Sequence, residues 1–555
     1  MHQMRQSSLC QILLLALVAL GRLQPSCRAT AEAVIPGPSM ASSAIEKYLR
    51  ESSGALTNDV VVYDAAVRFY SARNHEPAWG AQEDTARLLD AIGKTGDVGL
   101  NPKDYIPEDF DCEAATDPAD IAKRDITLTA AFFELARDLR VGRARPPADP
   151  PAAQWQPAVP DLVPELQAAL ADHDFAGRFA GLEPTWPAYT ALKAALKRYR
   201  QIAAAGGWPT VPDIRRSYKL GVREDTVTAL RRRLAAEEDL PPRLAPKPGE
   251  KYAGWHERFD GALDNAVRRF QARHALQVDG IVGPITRAAL NKPVGERMLQ
   301  VRINLERWRW GERQAPDRGL VIFLPQRELV AYEKGRPAFR MRVNHGPALR
   351  SLAADSFSDK LEYLEFGPSW GVPHHVAVGD ILPKARKDPA WFQGQGFEIV
   401  GDHHPGATVH PADEASFAKV QEGKFFIRQR PGRDNPLGQV KFMVPNYFAI
   451  YLHGREKDPA FETNTLDIGR GWIRVEEPLK LASFVLAKEP GWDTGRVKRA
   501  MSSEKSERAP LSRPLPVIVF CSDVYVDDEG RVQFRPEPER DARIAAVAGF
   551  SAKDP

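Results

Sequence analysis

The chain has 555 residues, enough for three or four domains at roughly 150 residues each. Hydrophobic residues make up 43% and charged residues 27%, which is ordinary for a soluble globular protein and excludes wholesale disorder. The 76 Lys and Arg residues nearly balance the 73 Asp and Glu residues, so the chain lacks the concentrated positive charge that would indicate nucleic acid as a partner.

The first 31 residues have the pattern of a signal peptide. Arg5 provides a positive charge, Ile12–Leu20 is an apolar run of nine residues, and Ala29–Ala31 supplies a cleavage site with small residues. The run is shorter than the about 20 residues that cross a bilayer, and no later segment is as long and apolar as a membrane span. We therefore expect an exported, periplasmic protein with no transmembrane segment after signal removal. The choice between a lipoprotein anchored at Cys27 and a soluble form stays open.

Residues 32–216 predict a helical domain. Four apolar residues recur at helical spacing on one face of its clearest helix: Leu128, Phe132, Leu135 and Leu139. Asp125 is the candidate N-cap of this helix. Helical patterns resume at Pro164–Ala171 and Tyr189–Arg200, after a proline-rich linker.

Residues 217–292 predict a second, smaller helical module. Its first helix is expected at Val222–Leu234, and Asp264 is the candidate N-cap of the next one. A turn at Asp279–Pro284 then leads into a short helix at Ile285–Leu290.

After about residue 300 the hydrophobic pattern changes to short runs typical of strands. The predicted strands are Leu320–Leu324, Leu329–Tyr332, Phe339–Val343, Gln439–Val444, Ala449–Leu452 and Val517–Val526. Residues 298–534 are therefore predicted as a β-rich domain with an insertion at about 355–430, followed by a charged tail at 535–555. The fold class is multidomain α+β.

Several motifs resemble known families. Ala266–Leu276 followed by Val278–Thr286 closely resembles the bacterial peptidoglycan-binding helical domain. Phe442–Asn446, Ile450–Gly454 and Gly471–Glu476 resemble the L,D-transpeptidase (YkuD-type) catalytic domain, in its large periplasmic form with a scaffold domain. Further segments similar to that form are Gly99–Tyr105, Asn304–Trp310, Phe357–Leu364, Trp370–Pro373 and Asp380–Lys384. The resemblance implies peptidoglycan glycan and peptide stems as partners, other cell-wall enzymes as further possible partners, and no cofactor or metal.

The resemblance also implies a mechanism and its residues. In the family, a cysteine thiolate attacks a stem carbonyl, a second stem's amine resolves the thioester into a 3–3 cross-link, and a histidine takes the thiol proton. His453 matches that histidine, and Gly471 and Arg474 match the motif that follows it. Trp472 stands at the nucleophile position, and Gly469 stands where the motif has serine. By the same resemblance, the substrate-binding residues are Tyr451, Gly454 and Asn446.

The tryptophan decides the expected function. An indole has one N–H donor and no ionisable nucleophile near pH 7. Losing the nucleophile from such a unit costs roughly 10⁶ in rate. We therefore expect a peptidoglycan-binding, catalytically inactive member of the family. One alternative is an active L,D-transpeptidase or hydrolase of peptide stems with an unidentified nucleophile; another is a structural or partner-binding role without wall affinity.

No other residue clearly replaces the thiol. Cys521 ends an apolar run and is expected to be a buried structural cysteine, while Cys112 falls in the scaffold domain. Gly367–Gly371 has the letters of a nucleophile elbow, but that motif needs a strand followed by a helix, and Val372-Pro373 is not expected to open one. The histidines at 374–375, 403–404 and 410 are expected in an extended strand or solvated loops rather than at a metal.

Overall fold

The computed structural model describes most of the chain, and the described residues fall into two compact units. They are 38–51, 59–111, 115–144, 159–213, 217–246, 254–346, 357–404, 406–432, 434–446, 450–461, 472–503, 505–535 and 538–554. The first unit comprises the described residues up to 313 together with 523–554, and the second comprises those of 314–522. The predicted signal peptide and Cys112 lie outside the described residues. None of the described helices is long and apolar enough to cross a membrane.

The first unit is mainly helical. Its helices are α1 Pro38–Glu51, α2 Val60–Ala72, α3 Gln82–Gly93, α4 Pro118–Val141, α5 Val163–Asp172, α6 Phe175–Leu182, α7 Pro187–Ala204, α8 Val227–Ala236, α9 Gly261–Arg273, α10 Pro284–Leu290 and α11 Val294–Arg309. Short 3₁₀ turns lie at Thr95–Val98, Pro102–Asp104, Pro242–Leu244 and Trp255–Glu257. The residues of α8–α10 pack around their own small core, which includes Tyr218 and Phe270.

Helix α4 begins earlier than predicted. Its N-cap is Asp117, whose carboxylate accepts a hydrogen bond from the backbone N–H of Ala119. Asp125, predicted as the cap, lies inside the helix and is buried. It accepts hydrogen bonds from the Tyr70 hydroxyl at 2.6 Å and the Trp79 backbone N–H at 2.9 Å. The cap prediction was wrong because the helical pattern continues toward the N-terminus through polar residues.

The caps of the small module were also misplaced. Helix α8 starts at Val227 rather than at Val222. Helix α9 is capped by Asp260, which accepts a hydrogen bond from the Leu263 backbone N–H at 2.9 Å. Asp264, predicted as the cap, lies in the first turn and pairs with Arg268 four residues later. An acidic residue in the first turn stabilises a helix through the helix dipole, as an acidic cap does. The sequence pattern therefore did not distinguish Asp264 from the true cap.

A buried ionic network stabilises the first unit. The Arg273 guanidinium lies 2.6 Å from a carboxylate oxygen of Asp239 and 3.1 Å from one of Glu237. Glu237 also pairs with Arg233 at 2.7 Å and accepts a hydrogen bond from the Tyr199 hydroxyl of α7 at 2.9 Å. Burial alone would raise the pKa of Glu237, but Arg273 and Arg233 hold it well below its ordinary value.

The second unit is built on a closed barrel. Its strands are β1 Arg318–Phe323, β2 Glu328–Glu333, β3 Arg336–His345, β4 Phe357–Phe366, β9 Val440–Met443, β10 Tyr451–Gly454, β11 Trp472–Val475 and β12 Glu507–Phe520, with β5–β8 in the insertion described next. Among the described residues they close in the order β1-β12-β4-β9-β10-β11-β3-β2. The pairs β1/β12 and β10/β11 are parallel and the others antiparallel. Apolar side chains alternate into the barrel interior, and helices at Pro478–Leu486 and Thr494–Met501 pack against that core.

The insertion forms a small layer of its own. Its strands are β5 Trp370–Gly371, β6 Phe397–Val400, β7 Val409–His410 and β8 Phe426–Gln429. Short helical turns lie at His374–Val376 and Ala377–Ile381, and longer helices are α12 Leu382–Lys387, α13 Pro389–Gly394 and α14 Glu414–Gln421. The sheet order is β5-β8-β6-β7. Its core includes Phe392, Phe397 and Phe417. The range predicted for the insertion, 355–430, also contains β4, which is a barrel strand.

The C-terminal segment departs most from expectation. The predicted strand Val517–Val526 is divided: β12 ends at Phe520, and Val524–Val526 (β13) pairs with Val532–Phe534 (β14) in a separate hairpin. The predicted charged tail contains a helix at Pro538–Ala548. Its residues Ile544 and Ala548 are buried in the core of the first unit, so this segment does not complete the β-rich domain. The apolar face of this helix is short and is interrupted by charged residues, which hides it in the sequence.

Candidate functional site

A row of polar residues crosses the outer face of the barrel. In the order of the strands it contains Arg508, Glu365, Lys441, His453, Arg474 and Asn344, each paired in register with the next. Their neighbours along the strands, such as Phe442, Leu452 and Ile473, are buried in the barrel core. Because successive strand residues face opposite sides of a sheet, the row lies outside the core. The register thus gathers residues that are far apart in the sequence.

His453, the predicted proton acceptor, lies near the centre of this row. Its side chain is fully buried, and Nδ1 lies 3.1 Å from the carbonyl oxygen of Leu437. A carbonyl can only accept, so Nδ1 carries a proton and donates it. In the neutral ring, Nε2 is then the basic nitrogen. This tautomer is the one that a proton acceptor at Nε2 requires.

Trp472 lies directly beside His453. It is paired in register with Tyr451 across β10 and β11, and its ring centroid is 5.7 Å from the His453 ring in an edge-to-face arrangement. The indole N–H is buried, and among the described residues no atom accepts a hydrogen bond from it. Leaving such a donor unsatisfied costs about 1–3 kcal/mol. Gly469 and Gly471, the other predicted motif residues here, lie outside the described residues.

An aromatic residue of the insertion packs against this site. Trp370 of β5 packs edge-on against Trp472, with ring centroids 6.5 Å apart. The centroid of the Tyr451 ring lies 6.4 Å from that of Trp472. We call Trp370, Tyr451, His453 and Trp472 the aromatic cluster. Its other members fill the space beside the histidine with bulky rings, and none of them carries a thiol.

Lys441 is a site residue that the sequence reasoning did not single out. Its ammonium lies 4.0 Å from the centroid of the Tyr451 ring, a cation–π distance. Burial lowers the pKa of Lys441 below its ordinary value, although the negative charge of Glu365 opposes this shift. Among the described residues, no oxygen accepts a hydrogen bond from the ammonium. One signal in the sequence could have found Lys441. It precedes the apolar Phe442 in a strand of alternating pattern, so its side chain is expected on the polar face of the sheet, the face that also carries His453.

Arg474 also lies on the polar row. Its guanidinium forms an ion pair with the buried carboxylate of Asp458, to which Arg455 adds a second positive charge at 3.7 Å. Both side chains of the Arg474–Asp458 pair are largely buried. The pair therefore holds Arg474 in one orientation beside His453.

Asn446 and Gly454, two of the predicted substrate-binding residues, make close contacts with the backbone near His453. The Asn446 side-chain amide donates hydrogen bonds to the carbonyls of Val444 and Ile450, both at 2.6 Å. Gly454 packs so closely that a Cβ there would lie 2.9 Å from the carbonyl oxygen of Val475. Both residues shape the ends of the strands that carry His453.

Gly438 supports the histidine in the same way, and its replacement should destabilise the barrel. It has φ of +74°, and a Cβ would lie 2.5 Å from the carbonyl oxygen of Gly454. We expect Gly438→Ala to lower the free energy of unfolding by about 2–3 kcal/mol, because the strained conformation and the backbone contact both oppose a side chain. Denaturant unfolding measures this loss. Gly379→Ala is the matched control, since no atom lies within 4 Å of a Cβ there; equal stability of the two variants would contradict the prediction.

The other candidates do not join the site as nucleophiles. Cys521 is buried in the barrel core, as predicted. A helical turn does follow at His374–Val376, contrary to expectation. Strand β5, however, lies between Ser369 and that turn, so Ser369 precedes the strand instead of following it as an elbow serine does. Among the described residues, no group of three or more His, Cys, Asp or Glu side chains could hold a metal ion.

Comparison with protein families assigns the chain to a class. Residues 64–196 match the scaffold domain model, residues 223–290 match a peptidoglycan-binding domain model, and residues 317–498 match the model of the L,D-transpeptidase catalytic domain (YkuD). By these matches the chain contains a scaffold domain, a peptidoglycan-binding domain and a domain of the L,D-transpeptidase catalytic type. The family recognition and the fold class drawn from the sequence are confirmed, and each matched range lies inside the corresponding predicted domain.

Two particular proteins are similar to this chain. A relative from Haemophilus influenzae, whose name assigns it to the L,D-transpeptidases, is 28% identical over 218 residues. The match covers 39% of this chain and 43% of the relative, so the chain spans less than half of that protein's length. A solved L,D-transpeptidase from Xylanimonas cellulosilytica is 15% identical to this chain. The match covers 56% of this chain and 100% of the solved chain, with a TM-score of 0.14. A score this low assigns no fold.

Proposed function

We propose that this protein is a periplasmic, peptidoglycan-binding member of the L,D-transpeptidase family that does not catalyse cross-linking. The observation that carries the proposal is Trp472, which stands at the family's nucleophile position in the sequence and beside His453 in the barrel. A transpeptidase needs a group there that can attack a carbonyl, and an indole has none.

The surroundings of His453 support inactivity. Its tautomer leaves Nε2 able to accept a proton, but the ring contacts an indole instead of a thiol. Trp370 and Tyr451 pack against the same indole, so bulky rings fill the space that an acyl group would need. In this proposal His453 and Arg474 contribute to the packing and ion pairing of the site and do not transfer protons.

The wall is proposed to be bound by the module at 217–292. This segment matches the peptidoglycan-binding model, and its sequence carries the family motif from Ala266 to Thr286. The proposed ligands are glycan strands and peptide stems, and the proposed role is to position or regulate other cell-wall enzymes. The signal-peptide pattern of residues 1–31 supports export to the periplasm, and the proposed chemistry requires no cofactor.

Turnover of muropeptides tests the inactivity directly. Purified mature protein is incubated with tetrapeptide-bearing muropeptides, and the products are read by mass spectrometry beside a cysteine-bearing L,D-transpeptidase. We expect neither free terminal D-alanine nor 3–3 dimers, because loss of the nucleophile lowers the rate by roughly 10⁶. Product that disappears in His453→Ala would instead establish the active alternative with an unidentified nucleophile.

Wall affinity is tested separately with isolated sacculi. We expect the mature protein to sediment with them and to co-purify with cell-wall enzymes. If it neither sediments with sacculi nor retains a wall enzyme, the proposed function fails whatever the turnover assay gives.

A further inference from the structure

The hydrogen bond that orients His453 ends on a peptide group outside the strands. Nδ1 of His453 donates to the carbonyl oxygen of Leu437 at 3.1 Å. Leu437 precedes β9, which begins at Val440, so the ladder of the barrel does not fix the direction of this carbonyl. The contacts that fix it lie in the turn before β9, and they decide whether the Nδ1–H of His453 finds its acceptor.

The turn Asn435–Gly438 holds the Leu437 peptide in place. Its sequence, Asn-Pro-Leu-Gly, has asparagine, proline and glycine at the positions that a β-turn favours. The backbone N–H of Gly438 donates to the carbonyl of Asn435 at 3.0 Å, which closes the turn. The side-chain oxygen of Asn435 also accepts a hydrogen bond from the backbone N–H of Leu437 at 2.9 Å. Such a bond to the N–H two residues along the chain is the Asx turn that asparagine favours.

The amide nitrogen of Asn435 is anchored to both connections between the barrel and the insertion. It donates to the carbonyl of Pro368, just before β5, at 2.9 Å and to that of Arg430, just after β8, at 3.1 Å. Carbonyls only accept and the Leu437 N–H only donates, so these partners fix which end of the amide is oxygen. Asn435 is 1% exposed. One buried amide thus holds both ends of the insertion and the acceptor of His453.

We propose that Asn435 is a positioning residue that keeps His453 in the tautomer with a basic Nε2, acting through the Leu437 carbonyl. Without the Asx turn, the Leu437 peptide loses the side-chain bond that aligns it, and the Nδ1–H of His453 loses a fixed acceptor. Either ring nitrogen can then carry the proton, since the hydrogen bond at one nitrogen selects the tautomer. Because the same amide binds both connections of the insertion, the placement of the insertion sets the state of the histidine. This inference goes beyond the proposed function and does not depend on it.

Nitrogen NMR of the full mature chain, isotopically labelled at the histidine nitrogens, reads the tautomer directly. Spectra are recorded at alkaline pH, where imidazoles are neutral, and His453→Gln identifies the signals of His453 by their disappearance. In a single tautomer the two ring nitrogens have well-separated chemical shifts, and exchange between tautomers brings the shifts together. We expect wild type to show the full separation, with the proton on Nδ1. A ring protonated mainly on Nε2 in wild type would overturn the inference.

Asn435→Ala removes the Asx turn and is the decisive variant. We expect the ratio of the Nδ1-protonated to the Nε2-protonated ring of His453 to fall at least about fivefold, the change that the loss of one typical hydrogen bond produces. An unchanged ratio in the folded variant overturns the inference. Thermal unfolding shows whether the variant is folded.

Asn435→Ser decides the question if Asn435→Ala does not fold. A serine hydroxyl also accepts from the N–H two residues along the chain, but more weakly, and it cannot reach both anchoring carbonyls as the amide does. The tautomer ratio of His453 should therefore fall by a smaller factor than the alanine variant would give. In that case, a ratio equal to that of wild type overturns the inference.

Gln429 provides the matched control for the loss of a buried amide. It is 2% exposed, and its side-chain nitrogen donates to the carbonyls of Gln395 at 2.9 Å and Asp434 at 3.3 Å. It therefore binds the same segment as Asn435 without holding the Leu437 peptide. Gln429→Leu should lower the melting temperature as Asn435→Ala does, because both leave buried carbonyls without a donor. The tautomer ratio of His453 should stay that of wild type.

The control also separates positioning from general loosening. An equal fall of the tautomer ratio in Gln429→Leu and Asn435→Ala overturns the inference, because a loosened insertion would then explain both changes. None of these results affects the proposed function, which muropeptide turnover and sacculus binding test. Conversely, turnover by the wild-type chain would overturn the proposed inactivity and leave the role of Asn435 to be decided by the tautomer of His453.

Discussion

Replacing Arg273 by methionine is expected to destabilise the first unit by about 3–5 kcal/mol, because it leaves buried carboxylates without their shared cation. The Arg273 guanidinium donates three hydrogen bonds of 2.6 to 3.0 Å to the carboxylate of Asp239. It also lies 3.1 Å from a carboxylate oxygen of Glu237. Both carboxylates are completely buried. Their attraction to Arg273 offsets the cost of removing them from water, and methionine fills the volume without replacing the charge.

Chemical denaturation of the full chain, followed by circular dichroism, measures this loss. Lys94→Met is the matched control, because Lys94 and Asp90 form an exposed ion pair of similar length. Such pairs contribute about 0–1 kcal/mol. A loss below about 1 kcal/mol in Arg273→Met would show that the network does not stabilise the folded unit.

The same network gives the first unit an acid-sensitive component. The pKa of Glu237 is lowered in the folded protein, so its contribution to stability is complete above the ordinary glutamate pKa and is lost as pH falls toward the lowered one. The pKa of Asp239 is instead raised by burial despite Arg273, which offsets part of this effect. Glu237→Gln should therefore flatten the acid limb of the stability curve.

Local patterns in the sequence predicted the elements better than the contacts between them. Apolar periodicity located α4 and α7, and alternating runs located the barrel strands, because both patterns report burial directly. Asp125 and Asp264 were misread as caps, since an acidic residue near a helix start has several structural uses. The C-terminal helix was missed because Ile544 and Ala548 form only a small apolar face among charges.

The candidate site was predictable only in part, for a related reason. His453 and Trp472 were found through motif positions, and the structure places their rings in contact. Lys441 and Trp370 were not, because their proximity to His453 depends on strand register and on how the insertion packs. Neither property leaves a local signal in the sequence. The match of Gly469 and Gly471 to the family motif stays a prediction, because both lie outside the described residues.

Trp472→Cys is expected to fold with only a modest change in stability. Removing the half-buried indole loses its contacts with Trp370, Tyr451 and His453, which favours unfolding. The same change removes a buried N–H that has no acceptor among the described residues, an offset of about 1–3 kcal/mol. We therefore expect a net loss below about 2 kcal/mol. Trp472→Ala makes the same space without a thiol and is the control for stability and for activity.

The thiol introduced by Trp472→Cys should nevertheless give far less transpeptidase activity than a cysteine-bearing L,D-transpeptidase has. It would lie beside His453, whose basic nitrogen could accept its proton. Gly469, however, lacks the hydroxyl that the resemblance to the family motif implies at its position. Losing positioned acid–base and hydrogen-bonding groups lowers rates by about 10²–10⁴. In the muropeptide assay, we expect Trp472→Cys to remain at least about a hundredfold below a cysteine-bearing L,D-transpeptidase; activity equal to that enzyme would show that Trp472 alone silences the site.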